Sequence, residues 1–332
     1  MMKRRLMAPV FLVPAVLLAV CSPKSADPAN SGNSRQAQAG QTGGMKKVRD
    51  MKGEAEIPPE PRRIVDVSGS ADELIILGIP FIGSANTSMF NGITVPDYLR
   101  DYFSANGVET VGNYAGIMDL NLEKIAELKP DLIIMNIRHE KVYEQLKQIA
   151  PTVMLSDDIN FVNWRGRFRQ LGEWFGKEAL VSQWLDAFDA KGKELAAKVQ
   201  SVTGDASFAV IEANSVHFGS YYVYRTGGPG ALVFEDLGLK PSAGVPENVW
   251  GEVVDAEYFV KIDADHIIFF SDDGKLGETG GSPAWQSLKA VKNGSVYYGV
   301  NNEQYDMAYT PAGKLLYMEK LANAIINHSD IE

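Results

Sequence analysis

The sequence predicts an α/β protein of two similar lobes joined by one long rigid helix, and three observations carry that expectation. Strand-like and helix-like stretches alternate from Arg63 to Ile326, the pattern of a mostly parallel sheet with helices on both faces. Between Glu178 and Val202, apolar residues fall at Val181, Trp184, Leu185, Phe188, Leu195, Val199 and Val202. These steps of three and four draw one stripe along a helix about 37 Å long. Gly176 precedes this stretch, Gly204 follows it, and no proline occurs between Pro151 and Pro229, so it reads as a strut. Finally, the block Leu120–Met135 lines up without a gap on Val254–Phe269. Each block runs helix, turn, Asp, strand, with a glutamate at the fourth position, Glu123 and Glu257, as a repeated lobe requires. Two lobes on a stiff strut leave a cleft, and such clefts are the default ligand site.

The 332 residues are 45% hydrophobic and 22% charged, enough for two cores. The first 58 residues carry nine Lys and Arg against four Asp and Glu, so the remaining chain is strongly acidic within a net charge of −10. That balance excludes a nucleic-acid or general polyanion binder. Residues 1–21 read as an export signal: a basic start at Met1 to Arg5, an apolar run from Leu6 to Val20, then Cys21, the only cysteine of the chain. The run is too short and too broken by proline to span a membrane. Residues 22–57, rich in Ser, Gly, Ala, Asn and Gln, are expected as a flexible tether. The body then divides into an N-terminal lobe at 58–175, a connecting helix at 176–204 and a C-terminal lobe at 205–332.

In chain order, Arg63 to Val67 reads as a strand, Ala71 to Leu77 as a helix ended by Gly78, and Pro80 to Gly83 as a strand. A loop at Gly112 to Tyr114 leads to the helix Asn121–Lys129 and, after Pro130 and Asp131, the strand Leu132–Met135. A loop at Asn136 to Glu140, a helix at Val142 to Ile149 and a strand at Val153 to Leu155 follow. Asp157 or Asp158 is the candidate cap of a helix whose apolar set is Phe161, Trp164, Phe168, Leu171 and Phe175. Beyond the strut, strands are expected at Ser207 to Glu212, Tyr221 to Tyr224, His266 to Phe270 and Ser295 to Tyr298. Helices are expected at Ala231 to Leu237, Asp255 to Val260 and Pro311 to Ile326, with a glycine-rich loop at Gly227 to Gly230. That loop is similar to a phosphate cradle but lacks the following Lys-Ser/Thr.

Four phrases in order resemble one family: Leu122–Ile134, the Ile149-Ala-Pro-Thr152 turn, Arg225-Thr-Gly-Gly before Leu237-Gly-Leu-Lys240, and Trp285–Gly294. Together they are similar to the substrate-binding proteins of iron-siderophore ABC importers, the helical-strut class III periplasmic-binding-protein family that includes ferrichrome, cobalamin and haem binders. The resemblance covers about residues 58–327. It implies two Rossmann-like lobes, a shallow cleft holding a ferric siderophore, a likeness to monomers, and delivery to a permease dimer driven by a cytoplasmic ATPase, with no reaction catalysed. It also implies no cofactor and no metal ligands of the protein's own, because the siderophore chelates the iron; His139, His217, His266 and His328 are scattered. Leu18-Ala19-Val20-Cys21 resembles a lipobox, with Val20 where Gly, Ala or Ser is usual. On that likeness Cys21 carries a lipid, and the protein sits on the outer face of the cytoplasmic membrane.

A ferric siderophore offers an apolar-rimmed, oxygen-rich surface, so its cleft wants aromatic rings and arginines. Arg225, after the Tyr221–Tyr224 strand and before the glycine-rich loop, stands where the family places a ligand-binding arginine; as a bland alternative it caps a helix carboxylate. Arg138 follows the strand Leu132–Met135 at the lip of the sheet, with His139 beside it. Tyr114 and Trp250 lie in matching loops before the Glu123 and Glu257 helices, and Tyr305 follows the last strand; Asn113 and Tyr224 complete the set. Arg165, Arg167 and Arg169 are expected on an outer helix face, which leaves too few cations for a trianionic catecholate and favours a hydroxamate or mixed carboxylate. Catecholate, haem and cobalamin stay open. Glu123 and Glu257 are, by resemblance, the carboxylates that dock on the permease; the bland alternative is favourable acidity at a helix start. Among other classes, an exported α/β hydrolase lacks a Gly-x-Ser-x-Gly and any histidine placed beside a nucleophile, and a structural adhesin predicts no small-ligand stabilisation.

Overall fold

The computed structural model describes residues 44–156, 162–213 and 220–331. Cys21 and the whole export-like segment, Asp157, Asp158 and Phe161, and His217 lie outside them. Residues 22–43 of the expected tether also lie outside them, and its last part is no tether, because β1 (Lys46–Asp50) and β2 (Gly53–Ile57) pair as an antiparallel hairpin. Val48, Asp50 and Ile57 are buried. Asp50 can be buried because its carboxylate accepts the N–H groups of Met154 (2.9 Å) and Lys52 (2.7 Å), while the Met51 N–H donates to the Met154 carbonyl (2.9 Å). A composition reading sees a charged, glycine-containing stretch and misses an aspartate that is a backbone acceptor.

The first lobe runs β3 (Ile64–Val67), α1 (Ala71–Leu77), β4 (Phe81–Ser84), α2 (Asp97–Asn106), β5 (Glu109–Thr110), α3 (Leu122–Glu127), β6 (Leu132–Met135), α4 (Tyr143–Ile149), β7 (Thr152–Met154) and α5 (Trp164–Phe175). Its sheet has the order β5-β4-β3-β6-β7 and is parallel throughout. The structure differs from expectation in three places: α2 and β5 fill a stretch where no element was expected, residues 137–142 form a 3-10 turn where a loop was expected, and Asn163 caps α5, its side chain accepting the Gly166 N–H (3.2 Å).

The strut is α6 (Glu178–Thr203), 26 residues and so about 39 Å long. Val181, Leu185, Phe188, Leu195 and Val199 are buried along it, packed against α5 and the last helix of the chain. Val202, expected in the stripe, is 49% exposed, because the helix has passed the end of the lobe. Gly192 takes a place in the stripe instead. A Cβ there would lie 2.6 Å from the Asp236 carbonyl oxygen, so strut and second lobe touch backbone to backbone.

The second lobe holds β8 (Ser207–Ala213), β9 (Tyr221–Tyr224), α7 (Gly228–Ala231), β10 (Lys240–Pro241), β11 (Gly251–Val254), β12 (His266–Ser271), α8 (Pro283–Ser287), α9 (Lys289–Lys292), β13 (Val296–Val300), α10 (Asn301–Met307) and α11 (Pro311–Asn327). The order is β11-β9-β8-β12-β13, with β10 beside the start of β8. Here the parallel expectation fails in part. β9 runs antiparallel to both β8 and β11, since residues 214–220 are fewer than a parallel crossover needs. The helix expected at Ala231–Leu237 is a π turn at Leu232–Asp236, and that at Asp255–Val260 is a 3-10 turn at Ala256–Lys261.

The repeated block is physically the same device in both lobes. Asp131 accepts the N–H groups of Arg62 (2.7 Å) and Arg63 (2.9 Å) just before β3, and Asp265 accepts the Ser207 N–H (2.8 Å) at the start of β8. Each aspartate thus ties the turn after its helix to the first strand of its lobe. Lys289 and then Ser207 hold the Asp265 carboxyl well below the usual carboxylate range.

Residues 302–313 carry a run of hydrogen bonds between the lobes. Ser88 Oγ donates to Asn302 Oδ1 (3.2 Å), the Met89 N–H donates to Asp306 Oδ1 (3.1 Å) and the Tyr98 and Thr310 hydroxyls are 3.0 Å apart. At the start of α11, Asp72 Oδ2 accepts the Ala312 N–H (2.9 Å), placing a first-lobe carboxylate at a second-lobe helix N-terminus.

Candidate ligand-binding cleft

The first-lobe wall is a loop fixed from beneath. Asn113 is fully buried; its Nδ2 donates to the carbonyls of Thr87 and Ser88 (both 3.1 Å), and its Oδ1 accepts the N–H groups of Ala115 (3.0 Å) and Ile117 (3.1 Å). Asn136 Nδ2 donates to the Tyr114 carbonyl (3.0 Å), and Arg138 Nη1 to the Ala115 carbonyl (3.1 Å). His139 Nε2 lies 3.0 Å from the Asn113 carbonyl oxygen, and burial lowers its pKa. The Tyr114 ring lies across Gly69, where a Cβ would come within 2.3 Å of it and φ is +86°. Only glycine suits that position on both counts. Tyr114 is 3% exposed. Burial, then the charge of Asp306 in the facing lobe, pushes its phenol far above its usual range.

The second-lobe wall is aromatic. Trp250 packs against Tyr222, Tyr224 and Tyr309 with ring centroids 5.8, 5.7 and 6.3 Å away, the last pair stacked at 25°. Tyr305 reaches Phe90 of the first lobe at 6.3 Å. Gly227 admits this arrangement, since a Cβ there would sit 2.1 Å from the indole. Gly227 and Gly228 therefore serve ring packing, with Tyr309 seated under Gly228, while Gly230 admits the Arg225 backbone. Arg225 is half-buried; its backbone N–H donates to the Trp250 carbonyl (3.1 Å) and its guanidinium lies 5.3 Å from the Phe234 ring centroid. Trp250 Nε1 is buried without a hydrogen-bond partner among the described residues.

The site residues expected from sequence divide by what their polar ends do. The Arg225 guanidinium is half-exposed over Phe234, and Trp250 Nε1 is a buried donor without a partner among the described residues. Tyr224 and Tyr305 are buried, and their hydroxyls donate to Glu212, at 2.8 Å for Tyr305. Asn113 has its amide engaged by the loop and Arg138 bonds the same loop. Tyr309 was not among the expected residues. Its signal was its place in Gln304–Thr310, a short polar stretch with two tyrosines between the last strand and the closing helix.

The three arginines of α5 correct an expectation. Only Arg169 is exposed on the helix surface. Arg167 is 1% exposed and donates to Glu73 Oε1 (2.8 Å). Arg165 pairs with Asp189 (2.8 Å) on the strut and with Asp236 (3.1 Å) in the second lobe, where Lys314 also pairs with Asp236 (2.8 Å).

A separate cavity of about 710 Å³ opens at the lobe junction, lined by Asp97 and Tyr98 on one side and by α10 and α11 residues on the other. Burial raises the pKa of Asp306 on its edge to about 6. Among the described residues no group of three or more His, Cys, Asp or Glu could hold a metal ion, and no helix is long and apolar enough to cross a membrane.

Glu123 and Glu257 are both exposed in the first turns of matching elements. Asn121 caps the first, accepting the Lys124 N–H (2.9 Å); Asp255 caps the second, accepting the Tyr258 N–H (3.1 Å). Each glutamate stands two residues after its cap.

A family model described as periplasmic binding protein matches residues 95–302. The chain is 29% identical to "Probable siderophore-binding lipoprotein YfiY" of Bacillus subtilis (strain 168), over 97% of this chain and 95% of that one. It is 30% identical to the ferric-anguibactin-binding protein FatB of Vibrio anguillarum, over 74% of this chain and 77% of FatB. In architecture it is similar to Staphylococcus aureus SirA solved with staphyloferrin B: TM-score 0.68, 23% identity, 85% of this chain and 98% of SirA.

Proposed function

Because the chain belongs to the periplasmic binding protein family, we propose that it captures a ferric siderophore in the interlobe cleft and hands it to an ABC permease dimer powered by an ATPase. The observation that carries this reading is the second-lobe wall. It is an aromatic surface that carries the half-buried Arg225 guanidinium and the unpartnered Trp250 Nε1, both of them donors only. Such a wall suits an oxygen-rich, anionic ligand with apolar flanks. Relatives named for siderophores and ferric anguibactin support the same class.

A hydroxamate or mixed carboxylate siderophore fits better than a trianionic catecholate. Arg167 and Arg165 are engaged with carboxylates elsewhere, leaving Arg138 and Arg225 as the cations near the two walls. The iron travels as part of the ligand, chelated by the siderophore, so the protein uses no cofactor or metal site of its own and catalyses nothing. Export and lipid attachment at Cys21 would place a monomer on the outer face of the cytoplasmic membrane, which the lipoprotein name of the Bacillus relative supports.

Titrating the protein with ferric hydroxamate, carboxylate and catecholate siderophores, haem and cobalamin, while following tryptophan quenching, tests the reading. One class should quench saturably. Arg225→Ala should weaken that ligand about 10- to 100-fold, as loss of a central charged donor does, with no fall in Tm. Silence across the whole panel would sink the proposed ligand class, and turnover of an ester substrate would revive the hydrolase alternative.

Glu123 and Glu257 are the proposed docking carboxylates, one per lobe, set by the same cap geometry toward a two-fold partner. The double variant Glu123→Ala/Glu257→Ala should keep the ligand affinity of the wild type and lose most stimulation of the reconstituted transporter's ATPase. Full stimulation by the double variant would refute docking through these residues.

A further inference from the structure

We propose that Glu212 is the positioning residue of the aromatic wall: its buried carboxylate pins Tyr224 of β9 and Tyr305 of α10 by their hydroxyls, so that their rings hold Trp250 and Phe90 in place behind the ligand surface. The inference rests on the cleft being the ligand site.

Glu212 is the penultimate residue of β8 and is fully buried. A carboxylate in that position is costly unless hydrogen-bonded, and its donors come from two other elements. The Tyr224 hydroxyl of β9 donates to Oε2, the Tyr305 hydroxyl of α10 donates to Oε1 (2.8 Å), and Gln304 Nε2 donates to Oε2 (3.3 Å). Gln304 Nε2 also lies 3.4 Å from the Tyr224 hydroxyl oxygen. Tyr224, Gln304 and Tyr305 are each at most 5% exposed.

Stability alone does not account for a carboxylate here, since well-packed apolar replacements of buried charge networks are often neutral or better. What the carboxylate adds is direction. A tyrosine held at its far end cannot swing, and each of these rings has a task. Tyr224 backs Trp250 at 5.7 Å, and Tyr305 meets Phe90 across the lobes at 6.3 Å. With both hydroxyls donated inward, the half-buried Arg225 guanidinium is left as the donor for ligand oxygens. The wall then selects ligands that combine an apolar flank with acceptors near the Arg225 end.

The test compares wild type, Glu212→Gln, Tyr224→Phe/Tyr305→Phe and the triple variant by siderophore titration, thermal unfolding and near-UV circular dichroism. Glu212→Gln should weaken the ligand by about tenfold or more while unfolding stays cooperative, because an amide cannot accept from every donor. In the Phe background the same substitution should cost no further affinity, the non-additivity expected of residues acting as one unit. Unchanged affinity in Glu212→Gln, or an undiminished further loss in the Phe background, overturns the proposal. If the wild type binds no siderophore, the functional reading fails on its own, and the unliganded spectra still decide. Glu212→Gln must then alter the aromatic bands in the wild-type background but not in the Phe background, and unaltered bands overturn the positioning role.

Discussion

Arg167→Met is expected to destabilise the protein by about 3–5 kcal/mol at neutral pH, the usual cost of removing one partner from a buried ion pair. The guanidinium is 1% exposed and donates to Glu73 Oε1 (2.8 Å), the Gly69 carbonyl (3.1 Å) and Ser70 Oγ (3.1 Å). Around it lie Asp66, Asp72 and Glu73, all at most 1% exposed. Burial raises the Glu73 pKa well above its ordinary value, Arg167 opposes that rise, and Asp72 adds to it. A folded pKa above the unfolded one favours folding at acid pH, and that contribution is lost as pH rises through the folded value. Removing Arg167 lifts the Glu73 pKa further, so the deficit of the variant should be small near pH 4.5 and grow toward pH 8. Denaturant titrations across that range check it. A deficit independent of pH would locate the whole cost in packing, and Glu73→Gln added to Arg167→Met should recover part of the loss at pH 8 and little at pH 4.5. Because Arg167 also holds the Gly69 carbonyl, directly beneath Tyr114, the same variant should loosen the first-lobe wall.

That arginine also shows what was legible and what was missed. The apolar period of α5, Trp164, Phe168 and Leu171, points Arg167 inward by the same steps of three and four. Its burial was therefore written in the helix period, and expecting an outer face treated charge as a stronger signal than position. The strut, the gapless repeat and β6 were legible because each is a long or buried apolar pattern. α10 was not, since the residues it buries include Asn301, Gln304 and Tyr305, whose inward polar groups satisfy Glu212 and Asp272 in place of an apolar face. The hairpin at 46–57 hid for the same reason, its buried Asp50 being a backbone acceptor. In the proposed site, Arg225 and Trp250 could be singled out from their places beside a strand end and before a repeated helix. Glu212 could not. A glutamate in an otherwise apolar strand reads as an edge or a solvent face until the tyrosines that bond it are known.

Gly227→Ala is expected to lower siderophore affinity by about 100-fold while costing about 1–3 kcal/mol of stability, the range for overpacking a filled site. The backbone would tolerate the change, because φ at Gly227 is −98°. The obstacle is the indole: the new Cβ would lie 2.1 Å from Trp250 Cε2 and 2.3 Å from Nε1. Both atoms belong to a rigid ring, so Trp250 must move as a whole and leave its contacts with Tyr222, Tyr224 and Tyr309. Adding Trp250→Ala separates the two effects. The double variant Gly227→Ala/Trp250→Ala should unfold no earlier than Trp250→Ala alone, since the methyl then enters space the indole vacated. It should still bind as weakly as Trp250→Ala, because the ring and its Nε1 donor are gone. Wild-type affinity in Gly227→Ala, measured together with a lowered Tm, would show that the indole moves without consequence for the ligand. The second-lobe wall would then cease to be the surface on which the siderophore rests, and the 710 Å³ cavity beside α10 and α11 would become the place to look.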